Sequence, residues 1–294
     1  MARRWVGKEE ARAPANAPAN VPASAPATPL SDTRPGWSFY EAADTCWRYF
    51  FHRYVEPQSA PVTPPHLLIG TAYHALHEGK GEELKKDGQL APHMVEAARL
   101  YTARLKRGPP LPPALAREQT VGCKGALEGI FFSTPDVVEA QGVRDFKTAA
   151  RLYGDEREKW AVSGEIIGEL VATGAEKATV DVVTKEKTPR FGLFEVRLTG
   201  KKQEGFERLI LNLLVDMRRR YGQAQESVDA GKQDPVLWPT SFSSCYRYGK
   251  PCSFLNLCWG DGFGFEKRSK VPWVAKLLGG ERVKLSRGLR DFAQ

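Results

Sequence analysis

An aspartate and a lysine two residues apart, Asp145 and Lys147, have the types and spacing that metal-assisted hydrolysis needs. Their segment, Val143 to Thr148, is predicted to be a β-strand, so both side chains point to one face of a sheet. Glu128 lies in a glycine-containing segment that we predict to be the preceding strand of a hairpin, which would bring a second carboxylate close to Asp145. The set therefore presents two carboxylates and one ammonium group at one place.

Two neighbouring carboxylates repel each other, and a hard divalent cation such as Mg²⁺ or Mn²⁺ relieves that repulsion through oxygen ligation. The cation lowers the pKa of a bound water, and Lys147 would orient or activate that water for attack on phosphorus. The chemistry indicated is phosphodiester hydrolysis. Because Asp-x-Lys alone is a weak motif, this interpretation depends on the elements around it.

Two histidines upstream, His74 and His77, are candidates for completing the site. The segment from Leu67 to Glu78 is predicted to enter a helix, with His74 near its start and His77 one turn later on roughly the same face. Either imidazole has the chemistry of a ligand for the same ion. We favour His74 because of the Gly-Thr-x-x-His sequence in which it lies, discussed below.

Four cysteines have an arrangement that suits a metal or iron–sulfur centre. Cys245, Cys252 and Cys258 fall within one short C-terminal segment, and Cys46, far away in sequence, would supply a fourth thiolate. Four thiolates bind structural Zn²⁺ or a [4Fe–4S] cluster, and the spacing does not decide between them, although it lacks the Cys-x-x-Cys pair of most zinc ribbons. Cys123 is predicted to be a buried core thiol.

The charge and hydropathy of the chain narrow the classes of function. With 43 Lys and Arg against 35 Asp and Glu among 294 residues, the net charge is +8, which favours an anionic partner such as a phosphate backbone. No apolar run approaches the roughly 18 residues that span a bilayer, so we expect no membrane segment. The N-terminus lacks the apolar stretch of a secretory signal, so we expect a reducing, cytoplasmic compartment and no disulfides.

The elements that must position these groups alternate between helices and strands, which favours α/β architecture. Segment 1–35 is rich in Ala and Pro and is predicted to be a disordered tail, 36–262 the folded domain, and 263–294 a basic C-terminal tail. Periodicity predicts, in order, helices over 38–54 and 67–78, a helix over 92–106, strands over 125–132 and 143–148, a helix over 155–172, strands over 178–184 and 192–198, and a long helix over 202–227.

Together these segments resemble the RecB-like nucleases of the PD-(D/E)XK superfamily, in the iron–sulfur-bearing branch found in helicase–nuclease subunits, CRISPR-associated exonucleases and phage proteins. The similarity runs from about Ser38 to Cys258 and rests on five elements in the family's order. They are the aromatic helix with Cys46, the Gly-Thr-x-x-His sequence at 70–74, Gly-x-x-Glu at 125–128 in place of Gly-x-x-Asp, Asp-x-Lys-Thr at 145–148, and the C-terminal cysteines. The family's Gln-x-x-x-Tyr motif has no match within 160–169.

The resemblance implies a PD-(D/E)XK restriction-endonuclease-like core, with a central mixed sheet flanked by helices. It implies that Mg²⁺ or Mn²⁺ is bound by His74, Glu128, Asp145 and the main-chain carbonyl of Phe146, while Lys147 positions the hydrolytic water. It also implies a structural [4Fe–4S] cluster that joins the N-terminal and C-terminal segments through Cys46, Cys245, Cys252 and Cys258.

The resulting hypothesis is a metal-dependent DNA exonuclease that acts mainly on single strands, in recombination, repair or phage DNA processing. It would work in the cytoplasm of a bacterial or phage-infected cell, with a recombination or helicase protein as a candidate partner. Arg48, Tyr49 and Arg53 would follow a single strand by charge and base stacking. The alternatives are a nucleic-acid-binding scaffold that keeps the fold without turnover, which the missing Gln and Tyr favour, and a zinc-stabilised protein without a metal at the acidic pair.

Overall fold

The computed structural model describes residues 34–59, 65–229, 237–247, 250–259 and 266–281. Almost all of the predicted N-terminal tail, 1–33, lies outside the described residues. The described α-helices are α1 (Trp37–Thr45), α2 (Trp47–Phe50), α3 (Pro65–His77), α4 (Gly81–Leu84), α5 (Met94–Arg107), α6 (Glu156–Ala161), α7 (Gly164–Thr173), α8 (Gly200–Asp229), α9 (Phe242–Cys245), α10 (Leu255–Trp259) and α11 (Pro272–Leu278). The strands are β1 (Gln58–Ser59), β2 (Ala114–Arg117), β3 (Val121–Gly122), β4 (Phe132–Ser133), β5 (Val137–Glu139), β6 (Gly142–Ala149), β7 (Lys177–Thr184), β8 (Phe191–Arg197), β9 (Tyr246–Arg247), β10 (Lys250–Pro251) and β11 (Glu266–Lys267).

A mixed sheet of five strands in the order β2-β5-β6-β7-β8 forms the centre of the molecule. Strands β6 and β7 run parallel, with Asp145 opposite Val180, and the other neighbours are antiparallel. The sheet has apolar side chains on both faces, and helices pack against each face to form a hydrophobic cluster with them. The prediction of an α/β fold with a central mixed sheet flanked by helices is confirmed. None of the described helices is long and apolar enough to cross a bilayer.

Strand β6 presents opposite faces to two groups of helices. Phe146 packs with the cluster that includes Tyr73 of α3 and Leu100 of α5. Val143, on the other face, packs with Ile166 of α7. Since side chains alternate along a strand, Asp145 and Lys147 share the face of Val143 and point toward α7.

The predicted hairpin is displaced along the chain. Residues Gly125–Leu127 form a 3₁₀-helix rather than a strand, and the hairpin consists of β5 and β6. Gly125 and Gly129 have φ of 66° and 67°, a left-handed conformation that turns the chain and prevents a strand from continuing there. The prediction of a strand over 125–132 was therefore wrong for most of its length.

Other predicted elements are present with altered boundaries. The helix predicted over 38–54 is interrupted at Cys46, whose extended backbone (φ −165°, ψ 120°) separates α1 from α2, and α2 continues as a π-helical turn, Phe51–Val55. The helix predicted over 155–172 is divided into α6 and α7. Within the predicted basic tail, β11 pairs with β1, and α11 buries apolar side chains against the core around α1.

A buried ion network fixes α5 to the sheet. Arg104, 1% exposed, donates from Nε and Nη2 to Asp181 of β7 at 2.8 and 2.5 Å. Asp181 also accepts from Nη1 of Arg144 at 3.1 Å, and Arg144 donates to Glu139 at 2.6 Å. The network therefore connects α5, β5, β6 and β7.

Replacing Arg104 by methionine is expected to lower the free energy of unfolding by about 3–5 kcal/mol, because it leaves the buried Asp181 carboxylate without its main counter-ion. The matched control is Arg208→Ala, which removes an exposed ion pair with Glu204 and should change stability by no more than about 0.5–1 kcal/mol. Urea denaturation measures both values. Equal effects of the two substitutions would contradict the role of the network.

Candidate active site

Asp136 connects helix α3 to the strand that carries Asp145 and Lys147. Its Oδ1 lies 3.0 Å from Nδ1 of His74, in the last turn of α3. Its Oδ2 accepts a hydrogen bond of 2.6 Å from the backbone N–H of Phe146, in β6. Burial alone would lower the pKa of His74, but the hydrogen bond and the negative charge of Asp136 raise it above its ordinary value. Asp136 therefore holds the imidazole next to the start of the Asp-x-Lys sequence.

Glu118 lies beside this pair. The ligand atoms of His74, Glu118 and Asp136 lie within 4.8 Å of one another, the one such group of His, Cys, Asp or Glu in the described residues. Burial raises the pKa of Glu118 to about 8, and the charges of Asp136 and Glu78 add to the shift. One imidazole and two carboxylates form a donor set that suits a divalent cation, which would relieve the repulsion between the acids.

Asp145 and Lys147 lie on either side of Phe146 in β6 and form an ion pair with each other. Asp145 is 3% exposed, and its Oδ2 lies 2.9 Å from Nζ of Lys147. Burial raises the pKa of Asp145 to about 7; Lys147 opposes the shift, while Asp136 and Glu165 add to it. Burial would lower the pKa of Lys147, but Asp145 and Glu165 raise it well above its ordinary value. The carboxylates of Asp145 and Glu165 and the ammonium group of Lys147 thus interact electrostatically.

The structure does not place Glu128 in this group. Glu128 is exposed, in the turn that follows Gly125–Leu127, and the carboxylate beside His74 belongs to Asp136. The assignment of Glu128 is corrected for the same reason as the hairpin, because the glycines turn that segment away from a strand path. A sequence signal did exist: the pair Pro135-Asp136 directly precedes the strand that pairs with the Asp-x-Lys strand.

The two candidate histidines have different environments. His77 is 8% exposed, and its ring stacks on Phe146 with centroids 3.7 Å apart. Burial lowers the pKa of His77 to about 3, helped by the charge of His74. His77 thus belongs to the core beneath β6, and His74 is the histidine that contacts the carboxylate.

The contribution of the two buried histidines, His77 and His52, to the free energy of unfolding is expected to fall as the pH drops below 6.5, their ordinary pKa. Burial lowers the pKa of His52 to about 4, so the unfolded chain binds protons at both positions before the folded chain does. The stabilisation is complete above the unfolded pKa and is lost as the pH falls toward the folded values. Each histidine contributes at most about 1.4 kcal/mol per pH unit.

Urea denaturation of the wild type and of His77→Phe at several pH values measures this dependence. Relative to the wild type, the variant should gain free energy of unfolding as the pH falls below 6.5, because one of the two histidines no longer titrates. An identical slope in the two proteins would contradict the assignment to His77.

Helix α7 contributes two acidic side chains that sequence reasoning missed. Glu165 Oε2 lies 3.1 Å from Nζ of Lys147. Glu169, one turn later and 3% exposed, has a buried Oε2 without a hydrogen-bond partner. Burial and the charge of Asp145 hold the pKa of Glu169 well above its ordinary value. The sequence signal for them is a Glu-x-x-x-Glu pair within 160–169, the segment that lacks a Gln-x-x-x-Tyr motif.

The cysteine-bearing segments approach each other at the break between α1 and α2. Sγ of Cys46 accepts a hydrogen bond of 3.4 Å from the backbone N–H of Ser241. Burial raises the pKa of the Cys258 thiol to about 11, and the charges of Cys252, Cys46 and Cys245 add to the shift. No three sulfurs lie within 4.8 Å of one another in the described part of the chain. Cys123 lies apart, buried in the core around α1, as predicted.

The aromatic and basic residues proposed to bind nucleic acid are partly buried against one another. Nη1 of Arg53 donates to the hydroxyl of Tyr49 at 2.6 Å, and its Nε donates to that of Tyr54 at 3.2 Å. The Tyr49 ring contacts Phe254, in the cysteine-bearing segment, with centroids 5.3 Å apart. Arg48 is also partly buried. These contacts give Tyr49 and Arg53 a packing role, and their contact with nucleic acid stays a prediction.

Comparisons with known proteins gave a similar solved structure and no matching family or curated protein. No protein family profile matches the sequence, and no curated protein is detectably similar to it. Among solved structures, a chain from Eubacterium rectale described as a "putative exonuclease" is similar with a TM-score of 0.46 and 14% sequence identity. The match covers 78% of this chain and 94% of that chain.

Proposed function

We propose that the protein is a divalent-metal-dependent nuclease that hydrolyses phosphodiester bonds. The observation that carries this proposal is the group of His74, Asp136, Asp145 and Lys147 on α3 and the β5–β6 hairpin. His74 contacts Asp136 at 3.0 Å, Asp136 accepts from the N–H next to Asp145, and Lys147 contacts Asp145 at 2.9 Å. Imidazole, carboxylates and an ammonium group are the side chains that metal-assisted hydrolysis uses.

The donor set fits Mg²⁺ or Mn²⁺. His74, Glu118 and Asp136, whose ligand atoms lie within 4.8 Å of one another, would hold the ion, with Asp145 and the carbonyl oxygen of Phe146 as further ligands from β6. When bound, the ion would lower the pKa of a water and stabilise charge on the phosphate. Asp136 would also hold the imidazole in place, because its Oδ1 lies 3.0 Å from Nδ1 of His74.

The ammonium group of Lys147 is the positive charge that the protein itself contributes to the site. Its ammonium group would orient the attacking water and stabilise the negative charge that develops on the phosphate oxygens. The surrounding carboxylates fix its position, since Nζ contacts both Asp145 and Glu165. Removal of the ammonium group is therefore expected to lower the rate more than the affinity for DNA.

The finer part of the proposal is an exonuclease that prefers single-stranded DNA and carries a structural [4Fe–4S] cluster. The net charge of +8 supports a nucleic-acid substrate. The approach of the segment that begins at Ser241 to the α1–α2 break, where Cys46 lies, supports a cluster on Cys46, Cys245, Cys252 and Cys258.

Digestion of end-labelled single-stranded and duplex DNA by anaerobically purified protein tests this function. We expect a ladder from one end of the single strand, and none with Asp145→Ala or Lys147→Ala in a folded, cluster-loaded preparation. Retained cleavage by either variant would contradict the assigned residues.

The scaffold alternative is favoured by one observation, that the segment 160–169 contains no Gln-x-x-x-Tyr motif. Its signature is binding of single strands with a steep salt dependence and no products in Mg²⁺ or Mn²⁺. Fluorescence anisotropy under the conditions of the digestion distinguishes the two functions.

A further inference from the structure

We propose that Glu165 is a positioning residue that draws Lys147 away from Asp145, so that the Asp145 carboxylate is open to a divalent cation. The inference rests on the cation site proposed above. Lys147 forms ion pairs with carboxylates on two different elements, Asp145 on β6 and Glu165 on α7.

Lys147 and a bound cation need the same oxygens. Nζ of Lys147 lies 3.0 Å from Oδ1 and 2.9 Å from Oδ2 of Asp145, so both oxygens are within reach of the ammonium group. A cation held by His74 and Asp136 that also takes an oxygen of Asp145 must compete with that ammonium group. The affinity of the site for a cation therefore depends on what else attracts Lys147.

Glu165 supplies that second attraction. Its Oε2 lies 3.1 Å from the same Nζ, and the side chain is 46% exposed, so it has room to follow Lys147 when the lysine shifts. Asp145 has no such freedom, because it is 3% exposed within β6. The ammonium group can thus lean toward Glu165 while the Asp145 carboxylate stays in place for the cation.

Close packing holds the backbone of α7 in place at its first turn, where Glu165 lies. A Cβ on the preceding Gly164 would come within 2.2 Å of the Trp37 ring, so only glycine allows this close approach. Ile166, the next residue, is fully buried against the sheet. The backbone of Glu165 is therefore held in place, and only its side chain moves when Lys147 shifts.

Calorimetric titration of the full-length, folded protein with Mn²⁺, in the absence of DNA, tests the inference. We expect Glu165→Ala to weaken Mn²⁺ binding about three- to fivefold, the range of a partly exposed ion pair. Glu165→Gln, which keeps an acceptor for Lys147, should lie between this value and the wild type. Glu158→Ala, at an exposed glutamate of α6, is the matched control and should bind like the wild type.

The double variant separates positioning from direct ligation. Without the ammonium group there is nothing to draw away, so Lys147→Ala and Lys147→Ala/Glu165→Ala should bind Mn²⁺ equally within about twofold. If Glu165→Ala weakens binding to the same extent in the Lys147→Ala background, Glu165 acts on the cation itself and the proposal is overturned. An unchanged affinity of Glu165→Ala also overturns it.

The titration distinguishes this inference from the proposed nuclease activity. The expected pattern together with an absence of DNA cleavage would support the role of Glu165 and overturn only the nuclease. Failure of the wild type to bind Mn²⁺ would overturn the cation site and, with it, the role of Glu165.

Discussion

Replacing Asp136 by alanine is expected to lower the rate of metal-dependent DNA cleavage about a thousandfold, whereas Glu128→Ala should change it by no more than about twofold. Asp136 is the carboxylate that contacts His74 and the backbone of Phe146, so its loss removes a proposed ligand and releases the imidazole. Glu128 is exposed and lies outside this group.

Initial rates on end-labelled single-stranded DNA in Mn²⁺, with melting temperatures recorded for both variants, measure the difference. Asp136 is partly buried, so the melting temperature separates a lost ligand from a lost fold. Full activity of Asp136→Ala with inactivity of Glu128→Ala would reverse the assignment and restore the carboxylate predicted from sequence.

Cys252→Ser is expected to remove the visible absorbance of an iron–sulfur cluster and to lower the melting temperature by about 10 °C or more. The reason is that the cluster would join segments distant in sequence, the α1–α2 break and the region from Cys245 to Cys258. Cys123→Ala, in the apolar core, is the matched control. It should keep the absorbance and cost only the stability of one buried thiol, about 1–2 kcal/mol.

Visible spectroscopy, iron analysis and thermal denaturation under anaerobic conditions measure these effects. A colourless wild type with stoichiometric zinc would show that the thiols hold zinc instead. Equal loss of absorbance in both variants would contradict the assignment of the four ligands.

Much of the fold was predictable because its signals are local. Alternating apolar residues predicted β6, β7 and β8 nearly to their ends, and a long apolar stripe predicted α8. The hairpin failed because strand pairing is not local: a glycine-containing apolar segment before β6 has the composition of a strand. Positive φ at Gly125 and Gly129, which the sequence permits but does not demand, turned it into a 3₁₀-helix.

The sequence predicted the candidate-site residues that lie together on one strand. It did not predict the residues that the packing of several elements brings to the site. Asp145 and Lys147 share a face of a single strand, so period-two geometry was sufficient. Glu118 and Glu165 reach the site from β2's end and from α7, and only the packing of these elements on the sheet brings them there. Asp136 was overlooked because Pro-Asp is also a common turn sequence.

The measurement that tests the central claim most directly is a time course of single-stranded DNA cleavage by the wild type, with Mn²⁺ added and later removed by EDTA. If His74, Asp136 and Asp145 hold a cation that Lys147 assists, cleavage begins on addition of Mn²⁺ and stops on addition of EDTA. Cleavage that continues unchanged in EDTA, or none at any Mn²⁺ concentration, would contradict it.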